Sequence, residues 1–343
     1  MNKKKNNKRV NIRKIAELCD VSIATVSRAI NHPEKVAPEL YERIQAVIKE
    51  YNYVPNELAK QLFAQDSRSL AIFVQNIENP FYTNFISYLN EYAFDSGYTL
   101  IICDTKNDEQ RELKYVRYLF GIKASGMILM DGEWSHPLSE ALKSMPCVAI
   151  DRIMKPSITG IPTVASDYKT ASAEAIDYLV SLGHKRIAFA GLCGSQSALT
   201  RFLSYKAHLS AHGLSVPEAY IGRYDAMDMK VGEQSFEQFF SQAQPPTAIM
   251  CVNDLIAYGV LHKAEQMGVK VPEQVSVIGT DGILVDMFKP RLATLQQDVE
   301  QLVKAAVKEL EQIMESGAED GRELIVPMRF IKGETIAKAS DSL

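Results

Sequence analysis

Two groups of residues in this 343-residue sequence have the types and spacing to do chemistry, and in both the chemistry is recognition. The first is a set of polar residues that follow short apolar runs. Asp151 follows Val148–Ile150, Asn253-Asp254 follows Met250–Val252, and Asp281 follows Val277–Thr280. If those runs are strands, the polar residues lie at their C-terminal ends, where open α/β sheets hold ligands. Arg201 stands near the start of the helical segment that follows Arg186–Leu192. Carboxylates and an amide in such places exchange hydrogen bonds with sugar hydroxyls, and Arg forks onto vicinal oxygens or a carboxylate. Taken singly, each has a second explanation, because a strand-end Asp often caps the next helix. The other group is Ser22, Ile23, Ala24, Thr25, Ser27 and Arg28, on one short segment of helical spacing. Hydroxyls and Arg reach base edges or phosphates, while Ile and Ala touch a thymine methyl.

Catalytic patterns are absent from the sequence. It has no Walker A run, no G-x-S-x-G elbow and no metal-spaced His or Cys cluster. Gly191-Leu192-Cys193-Gly194 lacks the G-x-G-x-x-G spacing and marks a βα turn. His184, in Leu182-Gly183-His184-Lys185-Arg186, reads as part of a cationic cluster that complements a helix dipole. The five cysteines, Cys19, Cys103, Cys147, Cys193 and Cys251, are scattered through apolar runs as buried small hydrophobes in a reducing cytosol. The expectation is a protein that is not an enzyme and takes no cofactor and no metal.

The elements that must position these residues are legible in the apolar spacing. Ile12, Ile15, Ala16 and Leu18 form one helical stripe, and Val26, Ala29 and Ile30 form another. The break at Cys19-Asp20-Val21 and the capping Ser22 separate them by a tight turn, so the pair reads as a helix-turn-helix. A plain helical hairpin is the competing reading of the pair alone. Val36, Leu40, Ile44, Val47, Ile48 and Tyr51 outline a third helix with Pro38 at an early position. From Leu70 onward, strands and helices alternate. The spacing predicts strands at Leu70–Val74, Tyr98–Cys103, Gly126–Met130 and Cys147–Ile150, with helices over Pro80–Asp95, Glu109–Lys123 and Leu138–Ser144. A second set follows, with Thr163–Ala165 extended and strands at Arg186–Ala190, Ala248–Val252 and Val275–Gly279. Its helices are Lys169–Leu182, Ala198–His212, Val231–Gln242 and Leu255–Met267. After Pro290 come Leu292–Leu295, a long helix Val299–Glu315 and strands around Leu324–Ile331. Such alternation indicates right-handed βαβ units on parallel sheets, in two similar lobes with a cleft between them.

The motifs Val21-Ser22-x-x-Thr25-Val26-Ser27-Arg28-x-x-Asn31 and Tyr53-x-Pro55-Asn56-x-x-Ala59-x-x-Leu62 resemble the lactose repressor (LacI/GalR) family of bacterial regulators. Later segments extend the resemblance over nearly the whole chain. They are Asn79-Pro80-Phe81-Tyr82, Ser197-x-x-x-Arg201-x-x-x-Tyr205, Asn253-Asp254-x-x-Ala257-x-Gly259, Val275-Ser276-Val277-Ile278-Gly279-x-Asp281 and Pro290-x-Leu292-x-Thr294-x-x-Gln297. The resemblance implies an all-α helix-turn-helix head over residues 1–55, a hinge helix and linker over 56–67, and an α/β sensor over 68–343. That sensor is two-lobed and periplasmic-binding-protein-like. Its first lobe would take about 68–166 and 297–325, its second about 167–296 and 326–343. The resemblance also implies that Ser22, Ile23, Ala24, Thr25, Ser27, Arg28, Asn31, Tyr53, Asn56, Ala59 and Leu62 meet DNA. A Leu at a helix end ordinarily packs into a core, but this segment has little core of its own, and the family uses that Leu as a minor-groove wedge. By the same resemblance Phe81, Asp151, Arg201, Asn253 and Asp281 line the effector site. Five positions depart from the family pattern: Asp20 stands where Gly is usual, Ala37 where Ser or Thr caps the third helix, Ile23-Ala24 where several members carry a polar pair, and Ser204 where Gly is usual. Asp tolerates a left-handed turn better than most residues.

Charge is distributed to match. Residues 1–62 hold 12 Lys and Arg against 7 Asp and Glu, a balance of +5, which leaves −9 for the rest of a chain of net charge −4. A basic head on an acidic body fits a nucleic-acid module attached to a domain that does not touch phosphates. No apolar run follows the basic start as in a signal peptide, and no run is long enough to span a bilayer, so the expectation is cytoplasmic. The reading is therefore a homodimeric regulator, a repressor, on pseudo-palindromic double-stranded operator DNA, controlled by a small sugar-like effector. With no leucine heptads near the end, a tetrameric coiled coil is not expected. Two rivals are a catabolite-control regulator driven by a phosphorylated carrier protein, which shares Ile23-Ala24, and a solute-binding transport protein, which shares the sensor fold.

Overall fold

The computed structural model describes residues 10–53, 67–130, 145–151, 160–283, 285–286, 289–317 and 321–340. The expected helix Leu138–Ser144, the basic tail Lys3–Arg9 and the hinge residues Asn56, Ala59 and Leu62 lie outside them. The chain divides into two units, residues 1–65 and 66–343.

In the first unit, helices α1 (Ile12–Leu18), α2 (Ile23–Asn31) and α3 (Pro38–Glu50) surround a small core of Ile15, Ala16, Cys19, Val26, Ala29 and Ile44. The stripe residues are the ones that bury, since each helix can shed only one face from water. Asn11 and Ser22 cap α1 and α2 through bonds from Lys14 and Thr25 backbone N–H groups. The turn between them needs a left-handed residue, and Asp20 supplies it at φ 48°. Arg43 on α3 donates to the Cys19 carbonyl at 2.9 Å, which fastens the same turn. Ala37 makes no side-chain cap, and Pro38 at the start of α3 needs no N–H partner.

The second unit holds two six-stranded sheets. The first combines β1 (Ser69–Val74), β2 (Thr99–Asp104), β3 (Gly126–Met130), β4 (Cys147–Ile150), β5 (Thr163–Ser166) and, far along the chain, β11 (Glu323–Val326). Its order is β11-β5-β4-β3-β1-β2, all parallel. Helix α4 (Pro80–Asp95) and the late helix α10 (Val299–Ser316) share the core on one face, with Phe85, Leu89, Leu302 and Ala306 fully buried. Helix α5 (Glu109–Gly121) contributes Val116 and Leu119 to the core on the other face. The second sheet has β6 (Ile187–Leu192), β7 (Ile221–Arg223), β8 (Ala248–Cys251), β9 (Ser276–Asp281), β10 (Ala293–Gln296) and β12 (Arg329–Ile331). Its order is β12-β10-β9-β8-β6-β7, parallel except for β10 against β12. Around it lie α6 (Tyr168–Ser181), α7 (Gln196–Ala211), α8 (Met229–Phe240) and α9 (Asp254–Gln266).

The chain passes between the sheets three times, after β5, after β10 and between β11 and β12. Each lobe is thus discontinuous. The segment expected as strands around Leu324–Ile331 is two strands in different sheets, parted at Pro327-Met328. The three-residue strand β7 was not expected; an edge strand this short, with Gly222 at its centre, carries no periodic signal. His184 corrects an expectation outright. It is 1% exposed, with its ring nitrogens at Thr247 Oγ1 (2.9 Å) and the Ala337 carbonyl (3.0 Å), and burial lowers its pKa, so it is a neutral core residue. Four cysteines are buried and Cys193 is half-buried, all five as free thiols.

Candidate functional site

In the head, α2 turns Val26 and Ala29 inward, which leaves Ser22, Ile23, Ala24 and Arg28 exposed on the outer face, with Thr25 and Ser27 half-buried. Ser22 is committed to its own helix: its Oγ accepts from Thr25 N–H at 3.1 Å and lies 2.9 Å from Thr25 Oγ1. Asn31 donates to the Ser27 carbonyl at 3.0 Å. Tyr53 is half-buried against the head core, and burial raises its phenol pKa. The surface that remains pairs an apolar tip at Ile23-Ala24 with a cation at Arg28, on a helix narrow enough for a major groove.

In the second unit, strand ends of both sheets converge on a cleft. The first lobe lines it with Asn79, Phe81, Tyr82, Met130, Ile150 and Asp151, the second with Ser197, Arg201, Met227, Asn253 and Asp281. All five residues expected at an effector site are therefore brought together. Asn79 caps α4 by accepting from Phe81 N–H at 3.0 Å, which seats the Phe81 ring at the helix start, edge-on to Tyr82 at 5.7 Å. Asn253 caps α9 by accepting from Ile256 N–H at 2.8 Å and donates to the Met227 carbonyl at 3.3 Å. Its capping role is thus present alongside its place in the cleft wall. The two aspartates stand in left-handed backbone, Asp151 at φ 49° and Asp281 at φ 120°. Such conformations are unfavourable for a non-Gly residue and cluster where function demands them.

Arg201 is the hub. It is 9% exposed, donates to the Val252 carbonyl and, at 2.6 Å, to the Tyr168 hydroxyl, and has Asp281 Oδ1 3.3 Å from Nη2. Burial opposes its charge, but Tyr168, Asp281 and Asp151 outweigh that and hold its pKa above the ordinary guanidinium value. Behind the cleft wall stand residues that were not among the five expected at the effector site. Tyr168 donates to Asp151 at 2.7 Å, and Gln297 donates to Asp281 at 2.8 Å while accepting from Ser166 Oγ at 2.7 Å. Asp254 is fully buried and grips Ile283 N–H at 2.7 Å and the Thr294 hydroxyl at 2.6 Å, which fixes the loop after Asp281. Burial first, and Asp281 second, push the Asp254 pKa well up. Gln297 closes a motif visible in the sequence, but Tyr168 carries no signal: an aromatic at a helix start reads as core. Among the described residues no three His, Cys, Asp or Glu side chains are grouped to hold a metal ion.

This arrangement can hold a small hydroxyl-bearing molecule between two lobes. It offers acceptors from two carboxylates, donors from one guanidinium and two amides, and the Phe81 ring as an apolar wall. Comparison with known proteins agrees with it. Residues 67–334 match the periplasmic binding proteins and sugar binding domain of the LacI family, and residues 11–56 match the bacterial regulatory proteins of the lacI family. The HTH-type transcriptional repressor CytR of Escherichia coli strain K12 is 30% identical over 341 residues, 98% of this chain and 99% of that protein. The ribose operon repressor of the same organism is 29% identical over 296 residues, 85% of this chain and 89% of the relative. The Lac repressor dimer bound to operator and the anti-inducer ONPF shares the fold, with a TM-score of 0.84 at 23% identity over 96% of this chain and 100% of that one. The family's two parts thus meet, in order, the head and the two-lobed unit described above, and the chain belongs to the LacI family of bacterial regulatory proteins.

Proposed function

We propose that the protein is a transcriptional repressor that binds pseudo-palindromic operator DNA as a homodimer and is released or recruited by a small, uncharged, polyhydroxy effector held in the cleft. The observation that carries the effector class is the charge of the wall. Its one described cation, Arg201, already faces Asp281 at 3.3 Å and shares Tyr168 with Asp151. Two carboxylates around one paired guanidinium leave the described lining with a net negative charge, which suits hydroxyl donors and repels phosphates and acids. The relatives' function as repressors, CytR of transcription and the other of the ribose operon, supports the DNA half of the reading. Exposed apolar side chains on the first lobe, among them Phe94, Ile102 and Tyr118, fit a surface that a second copy covers. No helix among the described residues is long and apolar enough to cross a membrane, and we place the protein in the cytoplasm, with its DNA.

The ligand would act by bridging lobes, because an effector that prefers one lobe angle shifts the population toward it, with a coupling of about 1–3 kcal/mol. The test is operator affinity, on DNA selected from a random pool, with D-ribose, D-glucose and cellobiose set against D-ribose 5-phosphate and D-gluconate. One or more neutral sugars should shift the affinity severalfold and raise the melting temperature, while the anions do neither. A response confined to the anions would refute the neutral class.

A further inference from the structure

The hydroxyl of Tyr168 joins two residues that belong to different lobes. It donates to Asp151 Oδ2 at 2.7 Å, just past the end of β4 in the first sheet, and accepts at 2.6 Å from Arg201 Nη2 on α7 beside the second. The directions are forced, since a carboxylate only accepts and a guanidinium only donates. The Tyr168 ring also lies under the guanidinium, with Cζ 4.5 Å from its centroid. Tyr168 is the first residue of α6, directly after the first crossing between sheets, and is 4% exposed.

A second path returns through the second crossing. Ser166 N–H donates to Asp151 Oδ1 at 2.7 Å, Ser166 Oγ donates to Gln297 at 2.7 Å, and Gln297 donates to Asp281 at 2.8 Å, which faces Arg201. Asp151, Tyr168, Arg201, Asp281, Gln297 and Ser166 therefore form a closed circuit around the first two crossings between the sheets. One donor on it, the buried Nε–H of Arg201, has no acceptor among the described residues. Arg201 lines the cleft, and an oxygen bound there would supply one.

We propose that Tyr168 is a positioning residue of the effector site: it presets the Asp151 carboxylate and the Arg201 guanidinium as one pair for adjacent hydroxyls, and so ties effector capture to the angle between the lobes. The proposal rests on the cleft being the effector site. Burial is the largest influence on the phenol, and although Arg201 opposes it, the pKa stays well above its ordinary value; the hydroxyl keeps the proton that Asp151 requires. Groups held in place by hydrogen bonds before a ligand arrives spare the cost of ordering them, whereas a misplacement of about 1 Å weakens a site severely.

Tyr168→Phe keeps the ring on Arg201 and deletes only the hydroxyl. Crystal structures of the sugar-free wild type and variant should show the Asp151 carboxylate or the Arg201 guanidinium displaced or split between conformers. Calorimetric affinity for D-ribose should fall about tenfold or more, the scale of a lost hydrogen bond to a charged group. In an Asp151→Ala background the same substitution should cost clearly less than in the wild type, because the carboxylate that the hydroxyl holds is gone and only its hold on Arg201 remains. Unmoved side chains, or effects that simply multiply in the double variant, would overturn the proposal; a merely structural Tyr would give the multiplying result. Should Tyr168→Phe fail to fold, Tyr168→Met, which fills the space without a donor, takes its place in both measurements. If the wild type binds no neutral sugar, the proposed effector class falls, while the crystal structures still decide whether Tyr168 sets the pair.

Discussion

Arg201 offers the sharpest perturbation, because its surroundings predict different outcomes for two substitutions. Arg201→Ala removes the guanidinium from beside an Asp281 side chain that is 3% exposed, and takes a donor from both the Val252 carbonyl and the Tyr168 hydroxyl. Breaking a buried ion pair by deleting one partner costs about 3–5 kcal/mol. At roughly 2–4 °C per kcal/mol for a domain of this size, the melting temperature should drop by about 6–20 °C. Arg201→Lys keeps the charge, but one ammonium cannot span Val252, Tyr168 and Asp281 together. Two of the three interactions go unmade, at about 0.5–1.5 kcal/mol each, so the expected cost is about 1–3 kcal/mol. Both variants lose the fork, so D-ribose, or whichever neutral sugar the wild type prefers, should bind at least about tenfold more weakly. Scanning calorimetry with and without that sugar separates the stability effect from the binding effect. Operator affinity under the same conditions then reads the response: an inducible repressor would stay on DNA, and a corepressed one would stay off. Wild-type melting of Arg201→Ala, or wild-type sugar affinity of Arg201→Lys, would refute the account of Arg201 as the hub of the cleft.

Three further outcomes are expected. Arg28→Ala, at the exposed face of α2, should weaken operator binding by about 1–3 kcal/mol with relaxed specificity at one position if it meets a base, or lower the salt dependence by about one unit if it meets a phosphate; filter binding at several salt concentrations distinguishes these, and no change excludes Arg28 from the interface. Gly259→Ala would place a Cβ 1.9 Å from the Met229 carbonyl oxygen, where α8 and α9 cross. Backbone cannot yield as a side chain can, so a loss of about 1–3 kcal/mol or more should outweigh the better helix propensity of Ala. A melting temperature at or above wild type would show that the two helices can part there at no cost. His184 is held below its ordinary pKa of 6.5, chiefly by burial. As pH falls below about 6.5 the unfolded chain gains a proton that the folded one refuses, so stability should decline there, by at most about 1.4 kcal/mol per pH unit. Calorimetry of His184→Gln should show that part of the acid limb flattened; an unchanged limb would mean other groups set it.

Much of the molecule is written in local order. The apolar spacing of Ile15, Val26 and Ile44, the cap at Ser22 and the left-handed tolerance of Asp20 specify the head, because each acts within a few residues of itself. The same holds for strands such as Gly126–Met130 and Cys147–Ile150, whose apolar runs bury on both faces of a parallel sheet. The five cleft residues were legible because strand ends of an α/β sheet have a known use, and because the family motifs name them. What the tertiary structure alone decided is partnership across distance. His184 reads as a surface cation by its neighbours Lys185 and Arg186, yet the C-terminal segment at Ala337 and the strand-flanking Thr247 close over it. Tyr168 and Gln297 are 129 positions apart and become one circuit only when two crossings of the chain lie side by side. Periodicity reports which face of an element leaves water, since that depends on adjacent turns. Which buried polar group meets which depends on how whole sheets are stacked and threaded, and no local pattern encodes it.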